Sequence, residues 1–103
     1  MFNNQMPRIT NTEAMIMKIL LEKAGAEIYG WELMEASDGK LKRGTIYVIL
    51  NRMEDKGFID SRKEVRREGA RGLPRRMYKL TGLGQKTIYA WEVAISSFQG
   101  GLV

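Results

Sequence analysis

The chain has 103 residues, enough for one domain with a single core, and it contains neither Cys nor His. That composition excludes a disulfide framework, thiolate or imidazole metal ligands, a Cys or Ser nucleophile with a His base, and a histidine pH switch, so no cofactor, no metal and no enzymatic activity are expected. The net charge is +5, but thirteen Lys or Arg against five Asp or Glu lie between Lys40 and Lys79, a local balance of +8 that leaves −3 for the remainder. Such asymmetry is the footprint of a surface that meets a polyanion, against the plainer reading of a solvated charge run.

The first ten residues carry no apolar stretch of the signal-peptide kind, and no run is long enough to cross a bilayer, so a cytoplasmic protein with no membrane partner is expected. Thr10-Asn11-Thr12-Glu13 fits a capping box and precedes Met15, Ile16, Ile19 and Leu20 on one helical face. This predicts a first helix to about Lys23 that stops near Gly25. Tyr29 to Ala36 predicts a short second helix, closed by the turn-forming Ser37-Asp38-Gly39. A third helix is predicted from about Arg43 to Lys56 with Gly57 at its C-cap. Two helices joined by a tight glycine-containing turn, the second one basic, form a helix-turn-helix.

The third helix carries the most information. Ile46, Ile49, Leu50 and Met53 recur at three- and four-residue spacing and are predicted to be buried. The opposite side holds Thr45, Val48, Asn51 and Arg52, whose hydrogen-bonding and methyl groups suit base edges in a major groove, while Lys42 and Arg43 are placed to meet phosphates. Thr45 has a second reading as a stiffener of the helix start. Gly44 is expected to keep the backbone free to approach a phosphate.

Phe58 to Val65 has the mixed alternation of a strand, and Arg76-Met77-Tyr78-Lys79-Leu80 alternates cleanly. Between them, Arg66 to Arg75 is rich in Arg and Gly, which beside a recognition helix reads as a wing. Arg66, Arg67, Arg71 and Arg75 are its candidate contacts with the backbone or a minor groove. The alternative is a solvated hairpin tip.

The last helix is predicted from Thr81 as N-cap through Phe98. Ile88, Trp91, Ile95 and Phe98 are spaced three, four and three, a short seam for a partner helix, and Tyr89, Ala90, Val93 and Ala94 extend the apolar character around it. That predicts a homodimer, with intramolecular packing of the whole helix as the alternative. Gly82-Leu83-Gly84 reads as helix-entry packing, not a phosphate cradle, and Trp31 and Trp91 read as core and dimer contacts. The expected fold class is mainly α with a small β hairpin, an α+β winged helix-turn-helix over residues 1–80, ordered from about residue 10, with a C-terminal dimerisation helix and short tail over 81–103 in the same structural unit.

Three separated motifs carry a family resemblance: Tyr29-Gly30-Trp31-Glu32-Leu33, Leu41-Lys42-Arg43-Gly44-Thr45-Ile46-Tyr47 leading through Leu50-Asn51-Arg52-Met53-Glu54-Asp55-Lys56-Gly57-Phe58-Ile59, and Arg76-Met77-Tyr78-Lys79-Leu80-Thr81 followed by Gly84. In this order, over about Glu13 to Phe98, the chain resembles the PadR family of transcriptional regulators. The resemblance implies a winged-helix DNA-binding domain, a C-terminal helix that mediates homodimerisation, repression from a palindromic operator, and a short form with no long effector domain. It implies a phosphate contact for the Tyr47 hydroxyl, beside the alternative that Tyr47 anchors the helix to the core. In some drug-sensing members a tryptophan on the C-terminal helix lines an interface pocket for flat aromatic compounds, which implies a ligand role for Trp91 and a small aromatic effector as a partner. Many members have proline where this chain has Val48, so base preference does not transfer.

A sequence-specific repressor binding double-stranded DNA fits all of these features. A non-specific architectural binder accounts for the charge but not for the mixed face of Thr45, Val48, Asn51 and Arg52, and a winged-helix protein-interaction module leaves the basic face idle.

Overall fold

Thr10 starts the first helix through a reciprocal cap: its Oγ1 accepts from the Glu13 amide at 3.0 Å, and Glu13 Oε1 accepts from the Thr10 amide at 2.9 Å. In the computed structural model, which describes residues 8–65, 68–69, 72 and 75–100 apart from the side chains of 98–100, this helix is α1, Asn11–Glu22. It is followed by β1 (Ile28–Tyr29), α2 (Gly30–Ala36), α3 (Arg43–Asp55), β2 (Ile59–Lys63), β3 (Arg76–Leu80) and α4 (Gly82–Gly100). Glu13 is itself buried, and its other oxygen accepts from Lys56 Nζ at 2.8 Å, so one carboxylate closes the start of α1 and ties it to the end of α3.

The turn between α2 and α3 is pinned by Ser37. Its hydroxyl donates to the Met34 carbonyl at 2.7 Å and accepts from the Leu41 amide at 2.9 Å, while Asp38 and Gly39 take left-handed φ values of 56° and 84°. At the other end of α3, Gly57 has φ +84°, the Gly57 amide reaches the Glu54 carbonyl at 2.9 Å and the Phe58 amide reaches Met53 at 3.0 Å. This is a Schellman stop, and it turns the chain directly into β2.

The expected hairpin of β2 and β3 is present, with Ser61 opposite Tyr78. A third strand was not expected. β1 pairs antiparallel with β3, Ile28 opposite Tyr78, giving the order β1-β3-β2. Two residues are too few to show alternation, and β1 exists because β3 offers an edge beside the entrance to α2.

The core takes Ile16, Met17 and Leu20 from α1, Leu33 from α2, Ile46, Leu50 and Met53 from α3, and Ile59 and Tyr78 from the sheet. Burying each of these large side chains stabilises the fold by roughly 1.5–3 kcal/mol. Burial also pushes the Tyr78 phenol above its ordinary pKa.

Thr81 caps α4, accepting from the Gly84 amide at 2.9 Å while donating to the Gly57 carbonyl at 2.6 Å. A side chain at Gly84 would run into the Phe58 carbonyl, so the glycine is the close packing of helix entry that its sequence context predicts.

The predicted dimer seam requires correction at Ile88. Ile88 is 0% exposed and belongs to this chain's own core, with Trp91 half-buried against it and Ile95 also half-buried. Ile88 and Trp91 mark the face of α4 that packs against α1, where Lys18 also pairs with Glu92 at 3.5 Å. Among the described residues, the large apolar side chains of α4 left exposed are instead Leu83, Tyr89 and Val93. The side chain of Phe98 lies outside the described residues. The architecture is a winged helix-turn-helix of α+β class with a fourth, C-terminal helix, and among the described residues no helix is long and apolar enough to cross a membrane.

Candidate nucleic-acid interface

With Ile46, Leu50 and Met53 buried, the geometry of α3 turns its remaining positions outward. Thr45, Val48, Asn51 and Arg52 are all exposed, and Val48 is an apolar group 51% open to solvent. Lys42 and Arg43, also exposed, stand at the helix start, where no acidic residue occupies the first turn and the helix dipole adds positive potential. The Lys42 carbonyl accepts from the Ile46 amide at 2.9 Å and from the Thr45 hydroxyl at 3.4 Å, so Thr45 leans on the helix start while remaining at the surface. Among the described residues, a Cβ added at Gly44 would meet nothing within 4 Å. The fold makes no demand for glycine there.

Of the two uses the sequence left open for Tyr47, the structure shows its packing within the fold. Its ring lies against the Gly30 backbone, where an added Cβ would come within 2.6 Å of its oxygen, and the residue is nonetheless 43% exposed. It therefore bridges α3 to the start of α2 while remaining partly open to solvent.

Trp31 was expected in the core and is not there. It is 45% exposed and stacks on Tyr29, ring centroids 6.2 Å apart and planes 13° from parallel. Tyr29 is the pivot of this corner. As N-cap of α2 its amide donates to Glu32 at 2.8 Å, its hydroxyl donates to Glu64 at 2.8 Å, and the Arg75 guanidinium sits over its ring at 5.6 Å. The hydrogen bond to Glu64 holds the Tyr29 phenol above its ordinary pKa. Glu64 follows β2 and Arg75 precedes β3, so both roots of the wing are tied to the start of α2. Arg76, beside Arg75, donates to the Ser61 hydroxyl at 2.9 Å.

These groups line a cleft of about 760 Å³ between the start of α2, the first turns of α3 and the start of β3. Three of its lining residues, Arg43, Arg75 and Arg76, are cationic and none is acidic. Of the residues singled out in the sequence, Arg43, Tyr47 and Arg75 are brought together here, while Val48, Asn51 and Arg52 form the outward stripe of α3. Arg66, Arg67 and Arg71 lie outside the described residues. Sequence reasoning missed Tyr29, Trp31 and Arg76. The available signal was that Trp31 sits in the first turn of a short helix whose next inward position is Leu33.

Two other cations of the basic segment, Arg62 and Lys56, are paired within the chain. Arg62 makes a two-point contact with Glu27 at 2.6 and 2.7 Å, which holds the Glu27 carboxyl below its ordinary pKa, and Lys56 is bound to Glu13. Trp91 lines a separate groove of about 410 Å³ that also includes Met15, Lys18 and Ile19 of α1.

A family model of the transcriptional regulator PadR-like family matches residues 16–90. Among solved structures, a PadR-like transcription factor from Bacteroides fragilis superposes with a TM-score of 0.74 at 22% identity, over 88% of this chain and 85% of that one. A PadR family regulator from Clostridium difficile gives 0.66 at 27% identity, over 91% and 100%. Bacillus subtilis PadR, solved in complex with operator DNA, gives 0.68 at 22% identity over 81% of this chain, which spans 47% of that protein. Comparison with curated protein sequences finds no match.

Proposed function

Because the chain belongs to the PadR-like family of transcriptional regulators, we propose that it is a sequence-specific DNA-binding repressor that meets a palindromic operator as a homodimer. The observation that carries this reading is the outward stripe of α3: Thr45, Val48, Asn51 and Arg52 are exposed together on a helix with a basic start, and Gly44 leaves the approach to that start open. Such a face offers hydrogen-bond and methyl complementarity to base edges, with Lys42 and Arg43 toward phosphates. The Bacillus subtilis neighbour bound to operator DNA supports it.

The second copy is received by α4. Leu83, Tyr89 and Val93 are large apolar groups exposed on it. A partner helix laid along this face would bury them. The groove that holds Trp91 with Met15 and Ile19 is the seat for a small, flat aromatic effector.

Binding of the chain to the DNA upstream of its own gene, compared with random duplex across a salt series, tests the reading. A specific site preferred by about 10³-fold or more, with affinity falling steeply as salt rises, is the expected result. Equal affinity for all duplexes would favour an architectural binder, and weak, salt-insensitive binding a protein-interaction module.

A further inference from the structure

A duplex alternates its grooves, and a single sugar–phosphate strand separates each major groove from the neighbouring minor groove. If α3 enters the major groove and the segment between β2 and β3 meets the adjoining backbone or minor groove, that strand must pass over whatever lies between α3 and the start of β3. In this chain that place is the cleft of Trp31, Tyr47, Arg43, Arg75 and Arg76. We propose that the cleft is the seat of this strand, with Trp31 packed against a deoxyribose and the three guanidinium groups arranged around its phosphate. The inference rests on the DNA-binding reading and adds a contact that is neither the α3 stripe nor the tip of the wing.

Three observations carry it. The lining has three cations and no carboxylate, the complement of a polyanion and not of an apolar ligand or an acidic peptide surface. Trp31 is 45% exposed although it is the largest side-chain type, and among the described residues the one ring stacked on it is that of Tyr29. A sugar ring presents apolar C–H groups that such a face can cover, whereas a phosphate alone could not. Finally, Trp31 is held ready: Tyr29 stacks behind it at 6.2 Å, Glu64 fixes the Tyr29 hydroxyl at 2.8 Å, and Arg75 lies on the same ring. Little side-chain freedom remains to be lost on contact.

The test uses the full chain with an operator recovered by selection from randomised duplexes. Trp31→Ala should weaken the operator and a random duplex alike by about five- to tenfold, with the preferred bases unchanged, because the contact is to backbone. Its salt slope should match the wild type, since an apolar contact releases no counterion, whereas Arg76→Ala should flatten the slope by roughly one unit per contact. Trp31→Tyr should recover most of the loss, and an unchanged thermal midpoint for Trp31→Ala separates a lost contact from a damaged fold. On the DNA side, replacing single phosphates by methylphosphonate should find one position per half-site that weakens the wild type and costs Arg76→Ala nothing further. Wild-type affinity in Trp31→Ala, an altered base preference in that variant, or no such phosphate position would overturn the seat while leaving DNA binding intact. A wild-type chain that binds no duplex would remove the DNA reading itself.

Discussion

Helices α3 and α4 look alike in the sequence, each with apolar residues recurring at three- and four-residue intervals, yet they stand differently in the fold. On α3 one stripe is apolar and it is the stripe that is buried, so Ile46, Leu50 and Met53 sit in the core and the polar side faces out. On α4 apolar residues occur on more than one side, and the fold covers only one of them: Ile88 is sealed, whereas Tyr89 and Val93 are exposed. The difference teaches that periodicity identifies a buried face only when the opposite face is polar. Where two faces compete, the neighbour that arrives decides, and here α1 arrived on the side of Ile88 and Trp91.

The sharpest way to break this comparison is to truncate both helices at their inward positions. Leu50→Ala and Ile88→Ala should each cost about 2–5 kcal/mol in urea unfolding, because each leaves a cavity in the same core. Val93→Ala, 65% exposed in the single chain, should change subunit stability by well under 1 kcal/mol. If Ile88→Ala proved as mild as Val93→Ala, α4 would not be part of the core and the contrast with α3 would collapse.

The outward faces separate next. Asn51→Ala and Val48→Ala on α3 should each lose about 1–3 kcal/mol of preference for the operator and little for random DNA, read by selection on randomised duplexes. Recovery of the same site with the same tolerance at every position would show that this stripe is not the reader. Tyr89→Asp with Val93→Asp on α4 should leave DNA-independent folding intact and halve the sedimenting mass, since it places charge on the exposed apolar face proposed to receive a second copy. A double variant that sediments as the wild type does would move the association surface elsewhere on the molecule.

The smallest effect concerns neither helix face and serves as a control on charge. Hydrogen bonds from Arg62 lower the pKa of Glu27 in the folded chain. A lowered folded pKa contributes stability that is present above the unfolded carboxylate value and lost as pH falls through the folded value, so acidification below that range should weaken the fold. Glu27→Gln should remove part of that acid sensitivity and, because the pair is exposed, only a small part. DNA affinity measured near neutral pH should not follow Glu27, which lies outside the cleft and the α3 stripe.

Much of the fold was legible because local chemistry at the element ends is strong. Thr10 and Glu13, Ser37 through Gly39, Gly57 and Thr81 each satisfy backbone groups within a few residues, and the structure uses every one of them. The strand β1 was not legible because its two residues pair with β3, nearly fifty positions away, and show no pattern of their own. The binding surface was legible in part for a related reason. An exposed helical stripe follows from which residues the same helix buries, so Thr45, Val48, Asn51 and Arg52 could be named from spacing. The cleft could not, since Trp31, Tyr47 and Arg75 meet only when α2, α3 and β3 are packed.

Composition, the capping motifs and the single apolar stripe of α3 therefore determined a small basic α+β domain with a helix-turn-helix and the outward residues of its third helix, because each depends on neighbours within one or two turns. Tertiary structure alone decided that Ile88 belongs to the core, that Trp31 stands in the open, and that Tyr29 ties the wing to α2. Those outcomes depend on which surfaces meet across the fold, and a tryptophan or isoleucine gains as much by burial against one neighbour as against another until the packing selects one.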